Sequence, residues 1–362
     1  SFTRNDLTLV SGTTYYISVR AGDYMDNWSD VATSDGITVD HYSPTVGVPW
    51  EGDESEDLDY QQSDDSLAIY WTGSDSRELA YYEYALGTSA GDSNTVAWSD
   101  NETNTNVQLT NLSLAEGSTY YSSVRAYDEA GNRSSIATSD GLLIDYTAPD
   151  TGSVQDGSVG DLLYTPVNDS LYAEWSGFSD AVSGIEFYEY AVGSSSGGTD
   201  VLNWTDVGTD SSVIITGLSL TDDVSYYVSV RAADFAGNVS EAVSSNGIIV
   251  DTEPPVVGTV WDGLTEDYEW SNSATTLSGY WFDFTDAVRS IDYFEYAVGT
   301  DSGGTDVVDW TDVGSETSFT RDDLTLENNQ TYFISVRATD GAGNLSGVST
   351  SNGITVDTEN PV

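Results

Sequence analysis

Cysteine and lysine are absent from these 362 residues, and histidine and methionine occur once each. Without cysteine there are no disulfide staples, no thiolate nucleophile and no thiolate-ligated zinc, so stability has to come from ordinary apolar cores. Without lysine there is no Schiff-base chemistry, and a single histidine, His41, with no counterpart at the equivalent places further along the chain, gives no basis for a Ser-His or Cys-His triad. No apolar run approaches the roughly 18 residues of a membrane-spanning helix, so insertion of this segment into a bilayer is not expected. Positive charge is scarce as well: nine arginines stand against 61 acidic residues, a formal net charge of -52. Such a chain repels phosphate backbones and anionic membranes, which excludes nucleic acid as a partner. It also repels itself, which favours a saline or calcium-containing, extracellular setting.

What is present is repetition. "YYISVRAGDYMDNWS" from Tyr15, "YYSSVRAYDEAGNRS" from Tyr120, "YYVSVRAADFAGNVS" from Tyr226 and "YFISVRATDGAGNLS" from Tyr332 recur every 105 or 106 residues. That period is the length of a domain, not of a solenoid turn. Trp71, Trp175 and Trp281 keep step, as do Trp98, Trp204 and Trp310. Within each period apolar and polar residues alternate: in "YYVSVRA", Tyr226, Val228, Val230 and Ala232 share one face, Tyr227, Ser229 and Arg231 the other. Turn formers separate the runs and helical periodicity is not sustained anywhere. Aromatic residues at 12% argue against a disordered acidic tail. The fold class expected is all-β: tandem antiparallel seven-stranded β-sandwiches forming an extended rod.

These residues resemble the fibronectin type III domain, in the divergent form of large bacterial surface proteins. The resemblance rests on the Trp near the end of the second strand, on the runs "YEYALG", "YEYAVG" and "FEYAVG" in the third, and on a Leu six residues before an inward Tyr: Leu9 and Tyr15, Leu114 and Tyr120, Leu220 and Tyr226, Leu326 and Tyr332. It covers nearly the whole chain. Proline-bearing junctions such as "GLLIDYTAPDTG" and "GIIVDTEPPVVG" divide the chain into residues 43–147, 148–253 and 254–362, preceded by the closing strands of a further domain at 1–42. Those first strands belong either to a longer array or to a sheet completed in trans.

The repeated phrase reads mainly as scaffold: a core strand, a tyrosine corner before it, and a hairpin in which Gly131, Gly237 and Gly343, or Asp26 in the first copy, supply a positive φ. The fibronectin-like topology sets the third strand beside it, which pairs Arg125 with Glu83, Arg231 with Glu189 and Arg337 with Glu295 on the outer face. The same topology brings three acidic positions to each junction: Asp40, Asp75 and Asp128; Asp145, Asp180 and Asp234; Asp251, Asp286 and Asp340. Carboxylates gathered in this way suit calcium, which takes six to eight oxygen ligands, although turn capping by each Asp is the competing reading. Trp28, Trp50, Trp261 and Trp270 do not recur, and Trp50 and Trp261 follow proline-containing junctions, where they either pack or contact a glycan. Nine N-x-S/T sequons include Asn132, Asn238 and Asn344 within the phrase.

The expectation is therefore a non-enzymatic, structural or adhesive segment of a long extracellular bacterial surface fibre or appendage. Its partners would be adjacent repeats of the same chain, further copies in a homo-oligomeric filament, and a surface glycan or cell receptor. The alternative is a set of carbohydrate-binding or spacer modules from a secreted polysaccharide-degrading enzyme or a lectin-like adhesin.

Overall fold

The computed structural model describes residues 1–157 and 160–359, so the last residues of the expected span 254–362 lie outside the described part. Every regular element among the described residues is a β-strand. Two compact units are defined by the packing. The first holds residues 1–149 with the two loops 180–185 and 233–239; the second holds 150–179, 186–232 and the chain from 240 onward.

In the first unit, residues 1–42 form two short ladders, Thr14–Tyr15 on Ile37–Thr38 and Ser18–Val19 on Ala32–Thr33. Among the described residues no second sheet covers these two ladders, and Phe2, Tyr16, Ile17, Val19 and Ile37 are exposed. A complete sandwich follows. Its smaller sheet runs Asn106–Thr110, Ser66–Tyr70, Trp50–Glu51; its larger one runs Val96–Asp100, Leu79–Gly87, Thr119–Asp128, Leu142–Ile144, Tyr60–Gln61. Alternate residues of both sheets, among them Leu67, Ile69, Leu86, Val124, Ala126, Leu142 and Ile144, close one core around Trp71, which is 2% exposed. The Trp71 ring meets Tyr82 edge-on at 5.8 Å.

The second unit repeats this plan twice. Ser153–Asp156, Ser170–Ser176 and Ser212–Thr216 face a five-strand path from Tyr164–Thr165 to Leu202–Asp206; Thr259–Asp262, Leu277–Phe282 and Ser318–Arg321 face one from Trp270–Ser271 to Val308–Asp312. Trp175 and Trp281 take the place of Trp71, at 4% and 0% exposure.

Seven strands were expected; the first and last of each sandwich are broken in two. The opening strand pairs antiparallel in the smaller sheet at Trp50–Glu51, then parallel to the closing strand of the larger sheet at Tyr60–Gln61. Gly52 makes this crossing with φ 122°, and a Cβ there would lie 2.7 Å from the Glu56 carbonyl oxygen. Gly157 and Gly263 hold the same place in the later sandwiches, also at positive φ.

The tyrosine corner is present in all four copies of the phrase. The phenol oxygens of Tyr15, Tyr120, Tyr226 and Tyr332 accept the backbone N–H of Val10, Ala115, Thr221 and Glu327 at 2.8–3.0 Å. In the three complete sandwiches the ring is buried, so losing the hydroxyl strands a partly buried donor. Tyr332→Phe is expected to cost about 1–3 kcal/mol in the unfolding of its own sandwich, read from the shift in its denaturant midpoint at unchanged slope.

Candidate functional site: the recurring acidic clusters

Each copy of the phrase ends by folding its hairpin around its own aspartate. Asp128, Asp234 and Asp340 close the long strand, and each accepts the backbone N–H and the side-chain amide of the Asn four residues on: Asn132, Asn238 and Asn344, at 2.7–3.0 Å. The same amide nitrogen also donates to the backbone carbonyl of a residue over ninety positions earlier: Asn132 to Asp40 at 3.2 Å, Asn238 to Asp145 at 2.9 Å, Asn344 to Asp251 at 2.8 Å. The Ser two residues after each Asn is buried, and its hydroxyl accepts the N–H of Ala126, Ala232 or Ala338. Read from sequence as sequons, these three N-x-S triplets have both polar side chains engaged within the fold.

The third member of each cluster is an aspartate that organises a turn. Asp180 Oδ1 accepts three successive N–H groups, from Val182, Ser183 and Gly184, and Asp286 Oδ1 accepts those of Val288 and Arg289. Asp145, Asp180 and Asp234, all within the first compact unit, bring carboxylate oxygens within 4.8 Å of one another, and so do Asp251, Asp286 and Asp340 within the second. Asp145 and Asp251 are fully buried. Asp145 Oδ2 accepts the Ser183 N–H at 3.0 Å, whereas Asp251 Oδ2 has no partner. Burial, reinforced by Asp340, Asp286 and Asp222, pushes the Asp251 pKa up; burial does the same for Asp234.

Asp40, Asp75 and Asp128 do not assemble in that way. Arg77 Nε lies 3.7 Å from Asp40 Oδ2, so a guanidinium supplies positive charge at this junction, and Asp75 turns back to cap the Arg77 N–H at 2.6 Å. The three positions are equivalent in sequence; an arginine beside the first set changes what it needs.

On the outer face the glutamates of the third strand meet the arginines of the phrase. Arg125 Nε donates to Glu83 at 2.6 Å, Arg231 to Glu189 at 2.7 Å and Arg337 to Glu295 at 2.6 Å. Each guanidinium also lies over an indole, Trp98, Trp204 or Trp310, at 4.2–4.3 Å from the ring centre. These tryptophans recur in step with Trp71, Trp175 and Trp281 but are half-buried on the opposite face, where cation–π contact accounts for their recurrence. Even Trp28, outside the periodic set, lies under Arg20 at 4.2 Å.

The aromatic residues read as glycan contacts pack against other rings. Trp50 stacks on Tyr70 at 5.8 Å and donates its indole N–H to the Asp53 carbonyl; Trp261 meets Phe282 edge-on at 5.0 Å. Trp270, 61% exposed, lines with Leu264 and Tyr268 an open groove of about 810 Å³ in the third sandwich. His41 is exposed.

A second recurring acid went unread in the sequence. Glu51, Asp156 and Asp262 sit where the opening strand crosses between sheets, one residue before Gly52, Gly157 and Gly263, and all three are fully buried. Asp57, Asp161 and Asp267 follow five or six residues later. The signal was a repeated acid-Gly pair, which in the first sandwich opens the long acidic stretch "EGDESEDLDYQQSDD". Asp262 accepts the Gly353 N–H at 2.9 Å, but burial pushes its pKa, and that of Asp156, up from the ordinary aspartate range to about 6.

Residues 2–140 match the family described as bacterial Ig-like domain (group 3). The chain is 29% identical over 305 residues to Exoglucanase B of Cellulomonas fimi, a stretch that is 80% of this chain and 24% of that protein, so the chain spans about a quarter of that relative's length. A crystal structure of the chicken CNTN1 FN1-FN3 domains aligns with 87% of this chain and 100% of its own at 18% identity, with a TM-score of 0.34. The chain is built of tandem Ig-like, fibronectin type III-like β-sandwich repeats.

A carboxyl whose folded pKa is raised stabilises the fold while it holds its proton. For Asp262 that contribution is complete below the unfolded pKa near 4 and is lost as pH rises through about 6. In chelator, the third sandwich should therefore lose on the order of 2–3 kcal/mol between pH 4 and pH 7 through this group. Asp262→Asn, which cannot ionise, should remove that part of the slope; identical pH profiles for wild type and variant would contradict the assignment.

Proposed function

We propose that this chain is a run of non-catalytic spacer modules from a secreted polysaccharide-degrading protein. The modules are the closing strands of one sandwich, residues 1–42, and three sandwiches at 43–147, 148–253 and 254–362, with calcium bound at the second and third junctions. The observation that carries the reading is the relation to Exoglucanase B, which runs through several repeats here and through only a quarter of that protein. It moves the weight from the cell-surface fibre, expected from repetition alone, to a module that separates working parts of an extracellular enzyme. The side chains support the same reading: the junction carboxylates hold turns, and the arginines of the outer face are taken up by glutamate and indole.

Calcium at the junctions rests on the fully buried Asp251, whose Oδ2 has no hydrogen-bond partner and whose carboxylate stands with those of Asp286 and Asp340. A buried carboxylate without a partner is costly, and a divalent cation relieves both that cost and the repulsion within the trio. Saturating calcium should raise the melting temperature by about 10 °C over chelator, and Asp251→Asn should remove most of the gain for the third sandwich. Equal melting with and without calcium would leave these aspartates as turn caps.

A spacer should neither release sugar from insoluble cellulose nor be retained on it. Retention abolished by Trp270→Ala, Trp50→Ala or Trp261→Ala would replace the spacer with a carbohydrate-binding module. An antibody to residues 43–362 should capture, from the medium of the producing organism, a polypeptide that hydrolyses polysaccharide. Recovery of an inactive, cell-bound polypeptide instead would return the fibre reading to first place.

A further inference from the structure

We propose that Glu51, Asp57 and Asp140 form a calcium site inside the first complete sandwich, separate from the junctions. Glu51 is fully buried, and its Oε1 is satisfied by the Ser122 N–H at 3.1 Å and the Ser139 hydroxyl at 2.7 Å. Its Oε2 is buried and has no partner. Asp57 and Asp140 are exposed, and each brings a carboxylate oxygen within 4.8 Å of one from Glu51 and of the other. Three anionic groups at that distance, one of them cut off from water, need positive charge among them, and among the described residues no arginine pairs with any of the three.

The donor set selects the ion. Calcium takes six to eight oxygen ligands in a flexible geometry, whereas magnesium demands a near-ideal octahedron and gives up its water reluctantly. Three carboxylates on two loops and a strand, with one side open to water, suit calcium. Asp57 is held in place by accepting the Glu51 N–H at 3.2 Å, and the crossing at Gly52 brings the loop back over the buried carboxylate. The two exposed carboxylates leave one side open, where water completes the six to eight oxygens calcium takes.

The later sandwiches act as an internal control. Where the first has Asp140, they have Asn246 and Asn352, so each keeps two carboxylates and not three. Asn246 donates its side-chain amide to Asp161 at 2.7 Å and takes up the second acid by a hydrogen bond. The ion is therefore assigned to the first sandwich alone.

Calorimetric titration of the chelated 362-residue chain with calcium chloride tests this. Glu51→Gln keeps an oxygen for Ser122 and Ser139 but removes the buried charge; Asp57→Asn and Asp140→Asn change only exposed residues. Glu51→Gln and Asp57→Asn should each remove one binding equivalent, and Asp140→Asn should weaken that equivalent at least tenfold. Magnesium chloride should not compete at equal concentration. Asp251→Asn should leave this equivalent in place, so failure at the junctions and failure here are read separately. The same number of equivalents with the same affinities in wild type and all three variants would overturn the site. So would a rise in calcium-free stability at pH 7 on Glu51→Gln without change in binding, which would mean that a shared proton does the work assigned to the ion.

Discussion

The fold depends on how carboxylates are answered. With 61 acidic side chains and nine arginines, most negative charge has no basic partner in the chain, and among the described residues the sandwich cores supply none. Exposed carboxylates are solvated and screened. Those drawn inward are met by backbone N–H groups at turns, by the asparagine of each hairpin, by an arginine laid across an indole, or by burial deep enough to favour the protonated acid. These answers recur at equivalent places, so the acidity is patterned. The chain repeats a way of holding negative charge along with a strand order.

Much of the scaffold was legible because burial on one face of a strand imposes a period of two. That rule identified the core strand of the phrase, while the buried Trp71, Trp175 and Trp281, the tyrosine corners and the outward Glu–Arg pairs followed from the resemblance to the fibronectin type III domain. Recurrence alone does not give burial. Trp98, Trp204 and Trp310 recur as faithfully as the core tryptophans, yet what fixes them is the flat face each offers to a guanidinium. Periodicity identifies positions under constraint without saying which side of the sheet imposes it. The acids before Gly52, Gly157 and Gly263 escaped for the opposite reason. A strand that changes sheets brings its next residue inward regardless of alternation, and glutamate or aspartate in an acidic stretch gives no sign of being buried.

The junctions separate sequence equivalence from physical equivalence. Asp40, Asp75 and Asp128 stand where the other two trios stand, but Arg77 is within reach of the first, and among the described residues no arginine pairs with Asp251. The sandwiches differ in the same way at the crossing, where one side chain, Asp140 against Asn246 and Asn352, decides whether three carboxylates meet or two. Tandem copies sharing a backbone can thus diverge in ion chemistry by a single substitution while their cores stay interchangeable.

The asparagine that closes each hairpin sets the grain of the array. Its amide is shared between an aspartate of its own loop and a carbonyl more than ninety residues upstream, at the end of the preceding strand set. A sandwich cut at its own first strand would leave that amide half satisfied; one cut a few residues earlier, before the junction aspartate, would not. The seam at which such modules can be lost, gained or exchanged without damage therefore lies on the far side of the junction, inside what looks like the tail of the neighbour.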